Sequence, residues 1–249
     1  MLLVALKAPA LTPALLSVVG EATGLSAADI RPRMSGPGPW VLAVSATAEP
    51  LTAMLPLLAQ LHVQALVCDP SVVPGDNDRV IVRNLAFGPS QLVATDGTGV
   101  EHACDYSAIS LIQQGNRVHT NVETTKTTQR KFSAGRALLT GGLSLTKKEV
   151  ITETKKTESS ERFVLLSRND GEPDLMLYER RLNYQFLGNQ MQFSSFANLQ
   201  SLIATITAKT TAVVDDRVNT PGFVGRLPKT RTDPADLALY LVQLAHAGF

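Results

Sequence analysis

The densest set of reactive side chains in the sequence is His102, Cys104 and Asp105. Alternate residues of a strand share a face, so His102 and Cys104 would stand side by side there. Such a pair could supply a base and a thiol nucleophile. The plainer reading is a half-buried cysteine beside a surface histidine, because no third group follows at a recognisable spacing. The other histidines, His62, His119 and His246, are scattered and form neither HxxxH nor HExxH, so no metal site is expected. Gly141-Gly142 lacks the Lys-Ser/Thr of a phosphate loop, and Gly97-Thr98-Gly99 lacks a strand-to-helix setting. Both read as turn chemistry. No GxSxG and no paired-carboxylate motif is present, no cofactor is implied, and the chain is expected not to be an enzyme.

The remaining distinctive segment is residues 118–162. Its two arms, TNVETTKTTQRKF and TKKEVITETKKTESSERF, are threonine-rich with interspersed charge, which suits the arms of a long β-hairpin that is polar on both sides. Between them SAGRALLTGGLSL is apolar and glycine-rich where an exposed turn would ordinarily be polar. From Lys126 to Lys148 there are six basic residues (Lys126, Arg130, Lys131, Arg136, Lys147, Lys148) and no acidic one. An apolar tip ringed by cations suits a hydrophobic groove rimmed with acid, or an anionic membrane surface. The candidate partner-binding residues are Leu138, Leu139, Leu143 and Leu145 for apolar contact. Lys131, Arg136, Lys147 and Lys148 would supply electrostatic orientation. A second reading stays open: residues 134–139 form a short helix that covers the sheet, with ordinary core leucines.

The elements around this segment give the organisation. Residues 2–6 read as a short buried strand. Thr12 and Pro13 open a helix, Thr23-Gly24 closes it, and Ser26 with Asp29 forms a capping box for a second. Residues 40–44 read as a strand, 51–61 as a helix with Pro56 in conflict inside it, and 63–68 as a strand. The order β-α-α-β-α-β describes a small α/β sandwich over residues 1–70.

Residues Val19-Gly20-Glu21-Ala22-Thr23-Gly24-Leu25, Ser26 and Asp29-Ile30-Arg31, with an ungapped continuation from Glu49 to Val67, resemble the C-terminal domain of the bacterial ribosomal stalk protein. That fold is shared with the Clp-protease adaptor. The resemblance covers about a quarter of the chain and implies the fold. In the stalk family lysine-rich helices dock translation factors, whereas Ala27, Ala28, Pro32 and Met54 stand here where charge belongs. Factor docking is therefore not carried over.

Residues 70–78, PSVVPGDND, read as an extended polar linker, with 71–78 its core. Beyond it the hydrophobic period becomes two. Strands are expected at 79–83, 85–87, 91–95, 100–104, 108–112, 162–167 and 175–178. Turns are expected at Asp96-Gly97-Thr98-Gly99 and Arg168-Asn169-Asp170-Gly171. Ser194 or Ser195 would cap a helix over 196–209 whose apolar face is Phe196, Leu199, Leu202, Ile203 and Ile206. In element order, residues 79–210 resemble bacterial pleckstrin-homology-like domains. Asp233, Pro234 and Asp236 open a last helix in residues 226–249, with Leu237, Leu241 and Leu244 along one stripe.

The fold class expected is α+β. A small α/β sandwich (1–70) precedes a β-rich, pleckstrin-homology-like domain (79–225) with a projecting hairpin insertion (118–162) and a closing C-terminal helix.

In bulk terms the chain has 249 residues, 44% hydrophobic and 5% aromatic, with 23 Lys+Arg against 22 Asp+Glu. It can bury a real core, and near-neutrality argues against wholesale nucleic-acid binding. Two separated cysteines make no disulfide framework, and Lys7 and Pro9 interrupt the apolar N-terminal run. A cytoplasmic, bacterial, non-enzymatic adaptor or scaffold is the resulting expectation, acting through the hairpin tip, the small N-terminal domain or both. Its partner is a protein of unknown identity, with self-association and peripheral contact with anionic lipid through the tip as alternatives, and an uncharacterised enzyme as a second alternative.

Overall fold

A computed structural model describes the backbone of residues 1–132, 146–220 and 222–248, and within these the side chains of all but Ala22 and residues 119–158. The fold is mixed α+β, and the described residues divide into two compact units. One comprises Met1–Arg117 with Arg162–Phe249, the other Val118–Glu161.

The first unit begins with a three-stranded antiparallel sheet in the order β2-β1-β3, from β1 (Leu2–Lys7), β2 (Trp40–Val44) and β3 (Gln64–Cys68). The central strand is apolar at every position from Leu2 to Leu6 because both its faces are covered. Leu3 and Ala5 pack under helices α1 (Pro13–Thr23), α2 (Ala27–Arg33), α3 (Glu49–Thr52) and α4 (Leu55–Gln60). Local signals place these helices. Thr12 Oγ1 accepts the Leu15 amide at 3.2 Å, Gly24 closes α1 with φ 68°, and Ser26 and Asp29 form the reciprocal capping box. Pro56 resolves its conflict by lying in the first turn of α4, so the single helix expected over 51–61 is two.

The larger sheet has seven strands in the order β10-β7-β8-β9-β4-β5-β6. They are β4 (Val80–Phe87), β5 (Gln91–Asp96), β6 (Glu101–Asp105), β7 (Ile109–Phe132), β8 (Thr146–Arg168), β9 (Leu175–Tyr178) and β10 (Val213–Asp215). The two strands expected at 79–83 and 85–87 are one, β4, whose register shifts between Val82 and Asn84. The expected turns form, with Gly99 at φ 89° and Gly171 at φ 87°. Residues 70–78, read as extended, contain two 3₁₀ turns, Pro70–Val72 and Asp76–Asp78.

Two helices complete the cores. Helix α5 (Ser195–Thr207) buries Leu199, Leu202, Ile203 and Ile206 against Val82, Leu92, Ile112, Val164 and Leu177 of the large sheet. Ser194 stands at its N-cap as expected, but without a side-chain cap bond, and the Ser195 hydroxyl donates to Glu179 Oε1 at 2.6 Å. Helix α6 (Pro234–Ala247) is capped by Asp233, whose Oδ1 accepts the Ala235 and Asp236 amides at 2.8 and 3.3 Å. The Leu237 and Leu241 stripe lies on Leu2, Val4 and Leu6 of the small sheet. The opposite face, Ala235, Ala238, Leu239 and Val242, is also buried, against Phe163, Leu165, Met176 and Tyr178. One helix thus serves both sheets.

Candidate functional site

Strands β7 and β8 run 24 and 23 residues, and each passes from one compact unit into the other. At about 3.3 Å per residue, the fifteen residues of β7 after Arg117 trace roughly 50 Å of strand. Of the expected partner-binding residues, Lys131 lies in β7 and Lys147 and Lys148 in β8, with side chains outside the description. Arg136, Leu138, Leu139, Leu143 and Leu145 lie outside the described residues, as does the helix alternative at 134–139.

At the last residue of β7 within the first unit, Arg117 is buried in a cluster of charges that sequence spacing did not suggest. Its Nη2 lies 2.5 Å from Asp236 Oδ1, and Arg79 Nη1 lies 2.5 Å from the same oxygen. Arg117 Nη1 donates to the Tyr178 hydroxyl at 2.6 Å and pairs with Asp76 Oδ2 at 3.0 Å. That hydroxyl in turn donates to Asp76 at 2.8 Å. Burial alone would weaken the Arg117 charge. Asp236, Tyr178 and Asp76 outweigh it and hold the guanidinium above its ordinary pKa. Burial, followed by the bond to Asp76, pushes the Tyr178 phenol well up. Arg79 Nε and Nη2 and Arg117 Nε make no hydrogen bond among the described residues, although Arg117 Nε pairs with Asp233 Oδ1 at 3.9 Å. The cluster joins β7, β9 and the 3₁₀ turn at Asp76 to the first turn of α6.

Nearby, Glu179 accepts from Arg162 Nη1 at 3.2 Å and from the Ser195 hydroxyl at 2.6 Å. The Arg162 guanidinium lies 4.5 Å from the centre of the Phe196 ring. The preceding loop is held by buried Asn198, whose Oδ1 accepts the Gln192 amide at 2.6 Å and whose Nδ2 donates to the Gln192 carbonyl at 3.0 Å.

His102 and Cys104 do not meet as a catalytic pair. The His102 Nε2 lies 3.2 Å from Asp96 Oδ2, while Cys104 is packed into the core and burial pushes its thiol up. Among the described residues no group of three His, Cys, Asp or Glu could hold a metal ion.

A cleft of about 520 Å³ lies at the C-terminal end of α6, lined by Ser110, Ser167, Arg168, Asp174, Gln243 and His246 among others. At its edge His246 Nε2 is 2.7 Å from Asp215 Oδ2. Arg217 forks onto the same carboxylate and donates to the Gly38 carbonyl at 2.7 Å. Burial works against the Asp215 charge, but the Arg217 and His246 bonds outweigh it and hold the carboxyl down at about 2. An imidazole so held is oriented for proton transfer. The cleft hydroxyls are engaged elsewhere, however: Ser110 donates to the Ser167 carbonyl at 3.1 Å, and Ser167 accepts from Gln243 at 2.8 Å. No nucleophile is presented to His246 among the described residues.

No helix among the described residues is long and apolar enough to cross a membrane. Comparison of the chain with protein-family models, with curated proteins and with solved structures gave no match.

Proposed function

We propose that the protein is a non-enzymatic adaptor or scaffold that binds a partner protein through the segment joining β7 and β8. The observation that carries this reading is the length of those strands, which continue into a compact unit of their own, Val118–Glu161. Long polar strands are a costly way to join two neighbours of a sheet, since a turn of two to five residues suffices. Their joining sequence is apolar and flanked by Lys131, Arg136, Lys147 and Lys148, chemistry suited to a groove rimmed with acid. The buried Arg117 cluster holds β7 at its last residue within the first unit. The element order of residues 1–68 supports a further likeness, to the stalk-protein and Clp-adaptor fold, and so a second adaptor surface.

The test is affinity capture from lysate of the native host, comparing the intact chain with a variant whose residues 132–146 are replaced by an Asn-Gly turn. A protein captured by the intact chain and lost with the replacement is the expected result. Identical capture by two folded versions would overturn the reading. Size-exclusion chromatography with light scattering would reveal a second copy as the partner.

A further inference from the structure

Three of the large exposed apolar side chains fall within six residues: Met191, Phe193 and Phe196, at 54%, 114% and 44% exposure. Phe193 is more exposed than in an extended reference chain, so it stands clear of everything around it. A loop free to collapse would bury it. This loop is tied down instead: buried Asn198 clasps both main-chain groups of Gln192, and the Met191 amide donates to the Gly188 carbonyl at 3.2 Å. The chain therefore spends a buried amide on holding an aromatic ring in solvent.

Cations accompany the rings. The half-exposed Arg162 stacks on Phe196 at 4.5 Å, fixed there by Glu179, and the exposed Arg180 follows Glu179 in the chain.

We propose that the Met191–Phe193–Phe196 loop is a membrane-contact surface that inserts its apolar side chains into an anionic bilayer while Arg162 and Arg180 meet the headgroup phosphates. Two considerations favour a bilayer over a protein groove. The three side chains present on the order of 400 Å², about half of the ~800 Å² each partner gives to a stable protein interface. A bilayer needs only a few inserted rings with cations at headgroup height, and imposes no matching shape. The membrane contact is independent of the partner bound by the hairpin segment.

The test is flotation of the full-length protein with vesicles of phosphatidylcholine alone, and of phosphatidylcholine and phosphatidylserine at roughly three to one. Binding is expected only to the anionic vesicles and should weaken with salt. Phe193→Ala should lower the partition about fivefold or more. Its side chain is free of the core, so an unchanged circular dichroism melt accompanies the loss. The variant with residues 132–146 replaced should still bind. Failure of the intact protein to float would overturn the proposal, as would Phe193→Ala binding like the parent. Anionic binding lost with the hairpin replacement but kept by Phe193→Ala would also overturn it, placing the lipid contact on the hairpin.

Discussion

The ring of Phe163 in β8 occupies the space that a side chain at Gly115 in β7 would need: a methyl group there would lie 2.2 Å from Phe163 Cζ. The glycine lets the ring lie over β7, while on the other side of β8 Phe163 stands opposite Tyr178 of β9, the ring centroids 6.3 Å apart in an edge-on arrangement. Gly115→Ala should therefore destabilise the fold by about 1–3 kcal/mol through overpacking. Pairing it with Phe163→Leu should recover part of that loss. A thermal melt of the two single variants and the double variant checks this, and additive effects would refute the contact as the cause.

Asp236 offers a sharper case, because one carboxylate oxygen serves both Arg79 and Arg117. Removing it strands two buried guanidinium groups, so Asp236→Ala should cost about 3–5 kcal/mol in urea unfolding. Arg162→Ala removes a partly exposed partner of Glu179 and should cost about 1 kcal/mol or less. Equal effects would show that the α6 cluster is no more than a surface pair.

Asp215 makes stability depend on acid. Its folded pKa, about 2, lies below its ordinary 3.8, so its contribution is present above about pH 4 and is lost as pH falls through 2. The size of that contribution is about 2 kcal/mol. Asp215→Asn should lower the urea midpoint at neutral pH, with the gap to the parent closing between pH 4 and 2. A gap that is constant across that window would deny the carboxylate this role.

The thiols should be silent in the native protein. Burial pushes Cys68 up to about 11 and Cys104 up in the same direction, and both are in the core. Ellman's reagent at about pH 8 should label neither within minutes, and both after denaturation. Rapid labelling of Cys104 in the folded state would reopen its pairing with His102.

What the sequence disclosed was local. Thr12 with Pro13, Ser26 with Asp29 and Asp233 with Pro234 set helix starts within three or four residues, and all three act as spacing implies. The unbroken apolar run of β1 announced a buried strand, and the structure covers it on both faces. The Arg79–Asp236 and Arg117–Asp236 contacts close loops of 157 and 119 residues, and no spacing rule reaches that far. Asn198 and Glu179 were hidden for another reason. A buried polar residue that satisfies main-chain groups, as Asn198 does, or distant side chains, as Glu179 does, looks in sequence like any surface amide or acid. At α6 the leucine stripe was visible, but the alanines opposite it gave no sign of a second sheet, because small residues mark close approach as readily as exposure.

That position of α6 has a consequence for how the chain is made. The helix follows both sheets in chain order, yet β1 faces it on one side and β7 to β9 on the other. Until residues beyond Asp233 have left the ribosome, each sheet keeps one apolar face uncovered. Two half-finished cores then wait on a single late segment, and nascent chains stalled before it should be strong substrates for chaperones.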